Sequence, residues 1–217
     1  MKFLRKYTNV NDVNSLSNKF RRKRIEIFKK LLNKYKSPVK ILDLGGTQEF
    51  WENMDLISEE FQITIVNTEL INTKYENLIS IRKDARDLSE FRNKEFDIVF
   101  SNSLIEHVGN FTVQKTMAEE ISRIGKSYFI QTPNYYFPLE PHFLFPYFQL
   151  LPKKLKIYLL CHFNLGWFKK SEKSEAKKII DSIELLKYKE LKELFPSALI
   201  IREKFSGITK SFICIYD

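Results

Sequence analysis

The chain has 217 residues, of which 43% are hydrophobic and 29% are charged. A chain of this length can bury a large core without disulfide or metal support, and its composition excludes collagen, coiled coils and disordered polymers. The two cysteines lie far apart and match no metal-ligand spacing. No apolar run follows the first six residues, so the sequence predicts a cytoplasmic protein with neither a signal peptide nor a transmembrane span.

The net charge of +9 is concentrated at the N-terminus, where residues 1–40 carry 13 Lys and Arg against two acids. Apolar residues at helical spacing predict an amphipathic helix over residues 14–35. Its polar face is expected to be either solvated or in contact with an anionic membrane. The basic residues assigned to that face are Lys19, Arg21, Arg22, Arg24, Lys29 and Lys30.

Between Pro38 and Pro133, predicted strands alternate with helical segments, which is typical of a doubly wound, mostly parallel α/β sheet. Apolar runs predict five strands, and helical spacing predicts two helices between them. The strands are residues 39–44, 61–66, 78–81, 95–100 and 127–130, and the helices are residues 49–54 and 114–124.

Residues 133–168 hold 11 of the 31 aromatic side chains and 5 of the 7 prolines. Such a segment is too apolar for a linker and too interrupted by proline for one helix, so it predicts an apolar cap over the carboxyl edge of the sheet. A helix over residues 188–195 and strands at 199–204 and 211–216, paired through a turn at Gly207, complete a seven-stranded sheet.

These predictions describe a single domain in four parts, and the sequence indicates no oligomeric state. The parts are a basic N-terminal helix (1–37), an α/β core (38–133), a cap insertion (134–176) and a C-terminal helix with its strand pair (177–217).

Polar residues follow four of the predicted strands, at the edge where open α/β sheets bind ligands. Asp43 lies at the end of the first strand, and Gly45, Gly46 and Thr47 follow it. Glycine there permits close approach of a ligand, and an acid can meet an ammonium group. An ordinary strand-to-helix turn remains the alternative. The other candidates are Asn67 for ribose hydroxyls, Asp84, Ala85 and Arg86 for an adenine ring, and Asn102 and Ser103 after the fourth strand. Asn67 and Asp84 are also ordinary turn residues.

Taken together, these positions resemble the class I S-adenosylmethionine (SAM)-dependent methyltransferases, in particular their type 11 branch, over about residues 39–134. Asp43 and Gly45 fall on the first motif, Asn67 on the acid after strand two, Asp84 and Ala85 on the adenine loop, and Asn102 on the motif after strand four. The segment Gln131 to Asn134 also fits. The resemblance implies a Rossmann-like methyltransferase fold and SAM as the cofactor.

Two departures from the branch affect the cofactor site. Thr47 and Glu49 stand where later glycines of the loop are usual, and Asn67 replaces an acid, with Glu69 available to compensate. A nicotinamide-binding domain would require G-x-G-x-x-G, which the sequence Gly45-Gly46-Thr47-Gln48 does not supply.

Methyl transfer to oxygen benefits from a base, and the candidate catalytic residues are His107, His142 and Glu140, which could orient His142. Each histidine could instead make only a structural hydrogen bond. Glu106 beside His107 leaves a divalent metal as an alternative, because relatives with E-x-x-E-H use one, but Ser103 replaces the first Glu of that pattern and no metal is predicted.

The predicted function is O-methylation of a small-molecule, sugar or lipid-linked acceptor, with the aromatic cap and the basic helix favouring an acceptor near a membrane. Two alternatives remain open at this stage. One is a catalytically weak binding module of the same fold. The other is an RNA methyltransferase that uses the basic helix as a phosphate contact, although nucleic acid is not the expected partner because the basic charge is confined to one element.

Overall fold

The structure, a computed structural model, describes residues 15–217. Two predictions concern residues outside this range. They are the helix start at residue 14 and the absence of a signal peptide at the N-terminus. The helices are α1 (Leu16–Leu32), α2 (Gln48–Asn53), α3 (Phe111–Ile124), α4 (Lys153–His162), α5 (Lys173–Asp181) and α6 (Tyr188–Leu194). The strands are β1 (Val39–Leu44), β2 (Phe61–Asn67), β3 (Leu78–Arg82), β4 (Phe96–Asn102), β5 (Gly125–Pro133), β6 (Leu139–Glu140), β7 (Phe145–Pro146), β8 (Leu199–Phe205) and β9 (Ile208–Tyr216).

Seven strands form one sheet in the order β3-β2-β1-β4-β5-β9-β8. The pairs from β3 to β5 are parallel, and β9 runs antiparallel to both of its neighbours. The hairpin between β8 and β9 turns at Gly207, whose φ of +84° suits glycine. The predicted doubly wound, mostly parallel seven-stranded sheet is confirmed.

Strand β1 shows how the sequence builds a hydrophobic layer on each face, because successive strand side chains point to opposite sides. Leu42 and Leu44 join the cluster beneath α3 and α6, whereas Ile41 joins the cluster beneath α1 and α2. All three are buried. Asp43 shares the parity of Ile41, so its carboxylate faces the α1–α2 layer.

The register brings the predicted ligand residues to one edge. Leu44 lies opposite Val66 of β2 and Ser101 of β4. The chain leaves these three neighbouring strands at Gly45, Asn67 and Asn102, so the three residues lie along the same carboxyl edge.

Ser15 is the N-cap of helix α1, and its hydroxyl accepts the Asn18 backbone N–H at 3.2 Å. Its buried stripe includes Phe20 and Phe28. Arg24 lies one turn from each of them and is only 7% exposed, so the prediction of a solvated or membrane-facing Arg24 is wrong. Its partners are on the sheet edge, as described below.

The cap contains regular structure that the sequence did not predict. Helices α4 and α5 pack against one another, and Phe143, Phe148 and Leu160 belong to a separate hydrophobic cluster. Phe143 stacks on Phe148 with ring centroids 4.1 Å apart. Helix α5 runs through the predicted boundary at residue 176, so the cap extends beyond it. Within residues 15–217, no helix combines the length and apolarity needed to cross a bilayer.

Candidate active site at the carboxyl edge of the sheet

The turn after β1 fits closely around the Asp43 carboxylate. Gly45 has a φ of +77°, and its N–H donates to the Val66 carbonyl at 2.8 Å. A Cβ placed on Gly46 would lie 1.6 Å from Asp43 Oδ2, so only glycine fits there with this carboxylate in place. Thr47 caps α2 by accepting the Phe50 N–H.

The Asp43 carboxylate is buried and accepts one hydrogen bond from a side chain. It is 1% exposed, and Trp51 Nε1 donates to its Oδ2 at 2.7 Å. Burial raises the pKa of Asp43 to about 7, against the opposing effect of the Trp51 hydrogen bond. Asp43 lines a cavity of about 100 Å³, here named the Asp43 cavity, which is open to a cationic ligand group. The other residues lining the Asp43 cavity are Arg21, Gly45, Gly46, Thr47, Phe50, Phe100 and Asn102.

The predicted ribose and adenine residues share one cleft of about 350 Å³ between the ends of β2 and β3, here named the β2–β3 cleft. Asn67 Nδ2 donates to the Gly46 carbonyl at 3.1 Å, so this side chain also fastens the glycine turn. Asp84 accepts from the Arg86 guanidinium and backbone N–H at 2.9 Å, and these bonds lower the pKa of Asp84. Arg86 thus holds Asp84 in position. Residues lining the β2–β3 cleft include Gly45, Asn67, Asp84, Ala85, Arg86, Leu104 and His107.

A larger cavity of about 600 Å³, here named the cap cavity, lies between the sheet edge and the cap. It shares Arg21 and Asn102 with the Asp43 cavity, which in turn shares Gly45 with the β2–β3 cleft. The three spaces therefore adjoin one another along the edge, and together they are called the row of cavities. The cap cavity is lined by Ser17, Arg21, Arg24, Asn102, Ser103, Gln131, Pro133, Phe137, Leu139, Pro141, His142, Leu144, Trp167, Lys210 and Ser211.

Arg24 organises the floor of the cap cavity. Its guanidinium donates to Asn102 Oδ1 at 2.8 Å and to Gln131 Oε1 at 2.9 Å, and it pairs with both carboxylate oxygens of Glu203. Ser103 Oγ donates to the same Gln131 oxygen at 2.8 Å. Asn102 and Ser103, predicted from β4 alone, are therefore held by groups from α1 and β5.

The two predicted catalytic histidines meet across the row of cavities. His107 lines the β2–β3 cleft, His142 lines the cap cavity, and their Nε2 atoms are 3.1 Å apart. Glu140, 2% exposed, lies 2.6 Å from His142 Nδ1 through Oε1 and accepts two backbone N–H groups through Oε2. Two lone pairs cannot face each other at this distance without repulsion, so we assign one proton to the space between the imidazoles.

The environments of the two histidines separate their pKa values. Loss of hydration and then the charge of His142 lower the pKa of His107 to about 4. Burial lowers the pKa of His142, but the hydrogen bond and charge of Glu140, with the charge of Glu106, outweigh it and raise that pKa above 6.5. The shared proton therefore belongs mainly to His142.

NMR titration of the His107 and His142 imidazoles should show this separation. We expect His142 to titrate above pH 6.5 and His107 to remain neutral down to about pH 4. Glu140→Gln should lower the His142 pKa because it removes the neighbouring charge. Two pKa values that coincide near 6.5 in the wild type would contradict the pairing.

Glu106 adds an acid to this cluster. It is fully buried, its Oε2 accepts the Thr132 hydroxyl at 2.9 Å, and its Oε1 has no hydrogen-bond partner. Ligand atoms of Glu106, His107 and His142 lie within 4.8 Å of one another, the one such group found among residues 15–217. The absence of a metal therefore stays a prediction.

SAM fits the row of cavities by the chemistry of its groups. An ammonium would meet the buried Asp43 carboxylate, which occupies the space that the missing Cβ of Gly46 leaves. The β2–β3 cleft, which has a larger volume than the Asp43 cavity, offers Asn67, Asp84 and the Ala85 backbone for a nucleoside. The departures at Thr47 and Asn67 do not close either space.

Comparison with known proteins finds a family match within the chain and several proteins of the same fold. Residues 46–128 match the family model described as a methyltransferase domain. A solved SAM-dependent methyltransferase from Methanosarcina mazei is 14% identical with a TM-score of 0.53, covering 84% of this chain and 93% of that one. The N-terminal domain of EvdMO1 with SAH bound is 13% identical with a TM-score of 0.52, covering 90% and 79%. These likenesses show the fold.

A curated relative, the uncharacterized protein Rv1509 of Mycobacterium tuberculosis (strain ATCC 25618 / H37Rv), is 40% identical over 55 residues. That match covers 25% of this chain and 19% of the relative, so it spans about a fifth of the relative's length. Residues 46–128 of this chain thus match a methyltransferase domain, and the chain shares the fold of SAM-dependent methyltransferases.

Sequence reasoning missed four residues of the site. Trp51, Arg21, Arg24 and Lys210 all contact or line the cavities described above. Arg24 left a signal, because it lies four residues from both Phe20 and Phe28 and so on the buried stripe of α1. No sequence signal marked Lys210, since the alternation of side chains along β9 does not reveal which residues of other elements lie near it.

Proposed function

We propose that this methyltransferase transfers its methyl group to an oxygen of an acceptor in the cap cavity, with the His107–His142–Glu140 cluster moving the acceptor's proton. One observation carries the proposal: a histidine pair links the wall of the β2–β3 cleft to the wall of the cap cavity. The acceptor class is a small molecule, a sugar or a lipid-linked compound, because the cap cavity sets an apolar wall opposite a polar one.

The cofactor contacts follow from the cavities. Asp43 would hold the ammonium and Arg21, at the junction with the cap cavity, the carboxylate. Asn67 would contact the ribose, while Asp84, oriented by Arg86, and Ala85 would read the adenine. Asn102 and Ser103 would shape the passage to the acceptor. Bound SAM supplies a methyl group already activated on its sulfonium, so alignment is the protein's main task.

The histidine cluster can accept the acceptor's proton only in the state in which His142 has become neutral. The raised pKa of His142 places this change above pH 6.5. Transfer should therefore increase with pH through this range, and His142→Asn should abolish the dependence. Glu140 orients the ring and holds its Nδ1 proton.

Isotope-labelled SAM incubated with cell extract tests the proposal. We expect labelled methyl in the small-molecule or lipid fraction, with the NMR shift of the transferred carbon characteristic of a methoxy group. His142→Asn should reduce transfer by about a hundredfold, within the range of general-base effects. His162→Asn is the control, because His162 is exposed on α4, and it should leave transfer unchanged. Label on nitrogen or carbon, or label in RNA, would overturn the proposal, and SAH binding without any transfer would favour a binding module.

A metal is the alternative use of Glu106, His107 and His142. Under the base mechanism, a chelator should leave transfer unchanged. Loss of activity on chelation, restored by a divalent cation, would replace the base by a metal site.

We also propose that the exposed face of α1 contacts anionic membranes. Arg21 and Arg24 line the cavities, so they are unsuitable test positions. Arg22, Lys23 and Lys30 are exposed. Changing these three to Gln should abolish salt-sensitive sedimentation with anionic liposomes and leave SAH affinity intact, because each such residue contributes about 1 kcal/mol. Absence of wild-type binding to anionic vesicles would contradict the contact.

A further inference from the structure

Cationic groups outnumber acidic groups around the cap cavity. Among its lining residues, Arg21, Arg24 and Lys210 are cationic and none is acidic. Glu203, whose side chain is 9% exposed, is the acid within ion-pair distance of Arg24 and Lys210. One carboxylate is therefore shared by two of these cations in a partly buried space, where unpaired charge is costly. Arg21 lies with Asp43 in the adjoining Asp43 cavity.

Glu203 is already engaged by other groups. Both of its oxygens accept from the Arg24 guanidinium, and Oε2 also accepts the Ser211 hydroxyl. Lys210 Nζ lies 4.0 Å from Oε2, at the limit of an ion pair, and 4.2 Å from the centre of the Phe20 ring. Lys210 thus has weak compensation for its charge.

The pKa values reflect this excess. Burial, then the charge of Arg24, lowers the pKa of Lys210 to about 8, with Glu203 opposing and Arg21 contributing. Burial and the charge of Arg24 also lower the pKa of Arg21. An anion entering the cavity would relieve both.

The cofactor accounts for only part of the excess. Arg21 lines both the Asp43 cavity and the cap cavity, so it can meet the carboxylate of bound SAM. Arg24 is paired with Glu203. Lys210 lines the cap cavity and neither of the other two spaces, so its charge is available to a second ligand.

We infer that the methyl acceptor is an anionic amphiphile, whose carboxylate or phosphate pairs with Lys210 while its apolar part lies against the cap. The inference rests on the proposed function in taking the cap cavity as the acceptor site. The apolar surface is supplied by Phe137, Leu139, Leu144 and Trp167.

Matched probes test the inference by calorimetry on SAH-saturated protein. Para-hexyloxybenzoate and para-hexyloxybenzamide share a shape but differ in charge, and hexyl phosphate against hexanol tests the phosphate. We expect at least one anion to bind at least about tenfold more tightly than its neutral partner. Lys210→Met should remove that preference and Lys210→Arg should retain it.

Two controls make the result specific. Lys210→Met should leave SAH affinity unchanged, since Lys210 does not line the cofactor spaces.

The second control is the pH dependence. In the wild type the preference for the anionic probe should weaken as pH rises above about 8, when Lys210 loses its proton beside Arg21, Arg24, Glu203 and His142. Equal binding of charged and neutral probes, no binding by either anion, or a preference that survives Lys210→Met would overturn the inference. A Lys210-dependent preference in a protein that fails to bind SAH would retain the anion site and refute the proposed function.

Discussion

Asp43→Asn should abolish measurable SAH binding and, above pH 7, raise the melting temperature. The amide keeps an oxygen to accept the Trp51 N–H bond, which measures 2.7 Å in the wild type, but it has no charge to meet an ammonium. Folding raises the pKa of Asp43 from 3.8 to about 7, so the folded protein disfavours the ionised acid. A shift of this size corresponds to about 4 kcal/mol.

The pH dependence distinguishes this mechanism from a general effect of substitution. An acid with a raised folded pKa makes the wild type less stable as pH rises from about 4 to about 7. The advantage of Asp43→Asn should therefore be absent near pH 4, grow to pH 7 and then remain constant. Trp51→Phe should have the opposite effect above pH 7, because it removes the donor that stabilises the carboxylate. A pH-independent difference, or normal SAH affinity in Asp43→Asn, would contradict the assignment.

Gly46→Ala should weaken SAH binding by at least about a hundredfold and lower stability. The new methyl group would overlap Asp43 Oδ2, which lies 1.6 Å from the Cβ position, so the carboxylate or the turn must move. Calorimetry and thermal unfolding measure the two effects.

Gly207→Ala is the matched control for Gly46→Ala. Gly207 has a φ of +84° but no atom within 4 Å of its Cβ position, so alanine there costs only backbone strain of about 1 kcal/mol and should leave SAH affinity intact. Adding Asp43→Ala to Gly46→Ala should restore stability without restoring binding, because it removes the overlapping carboxylate. Normal SAH binding by Gly46→Ala would show that the turn is not part of the cofactor site.

The sheet was predictable because its strands are short apolar runs with clear local boundaries. Pro38 and Gly45 flank β1, whose observed bounds match the predicted residues 39–44. The cap itself was predicted but its helices were not, since proline was taken only as a helix breaker. Pro152 instead precedes α4 directly, at the N-cap, where proline's missing N–H costs no helical hydrogen bond.

The candidate site likewise contains residues that the sequence predicted and contacts that it did not. Asp43, Asn67 and Asp84 lie at or just beyond the carboxyl ends of parallel strands, so chain order alone brings them to one edge. The Arg24–Glu203 pair joins residues 179 positions apart, and no local pattern reveals such a partner. The sequence placed His107 and His142 near the same edge, but their 3.1 Å approach depends on how the cap folds over it.

Titration of the wild-type protein with SAH tests the central claim most directly. We predict one site per chain, displacement of SAH by SAM, and no heat on addition of NAD, because the turn after β1 lacks the dinucleotide pattern. Failure to bind SAH, or binding of NAD in its place, would contradict the account of this chain as a SAM-dependent methyltransferase.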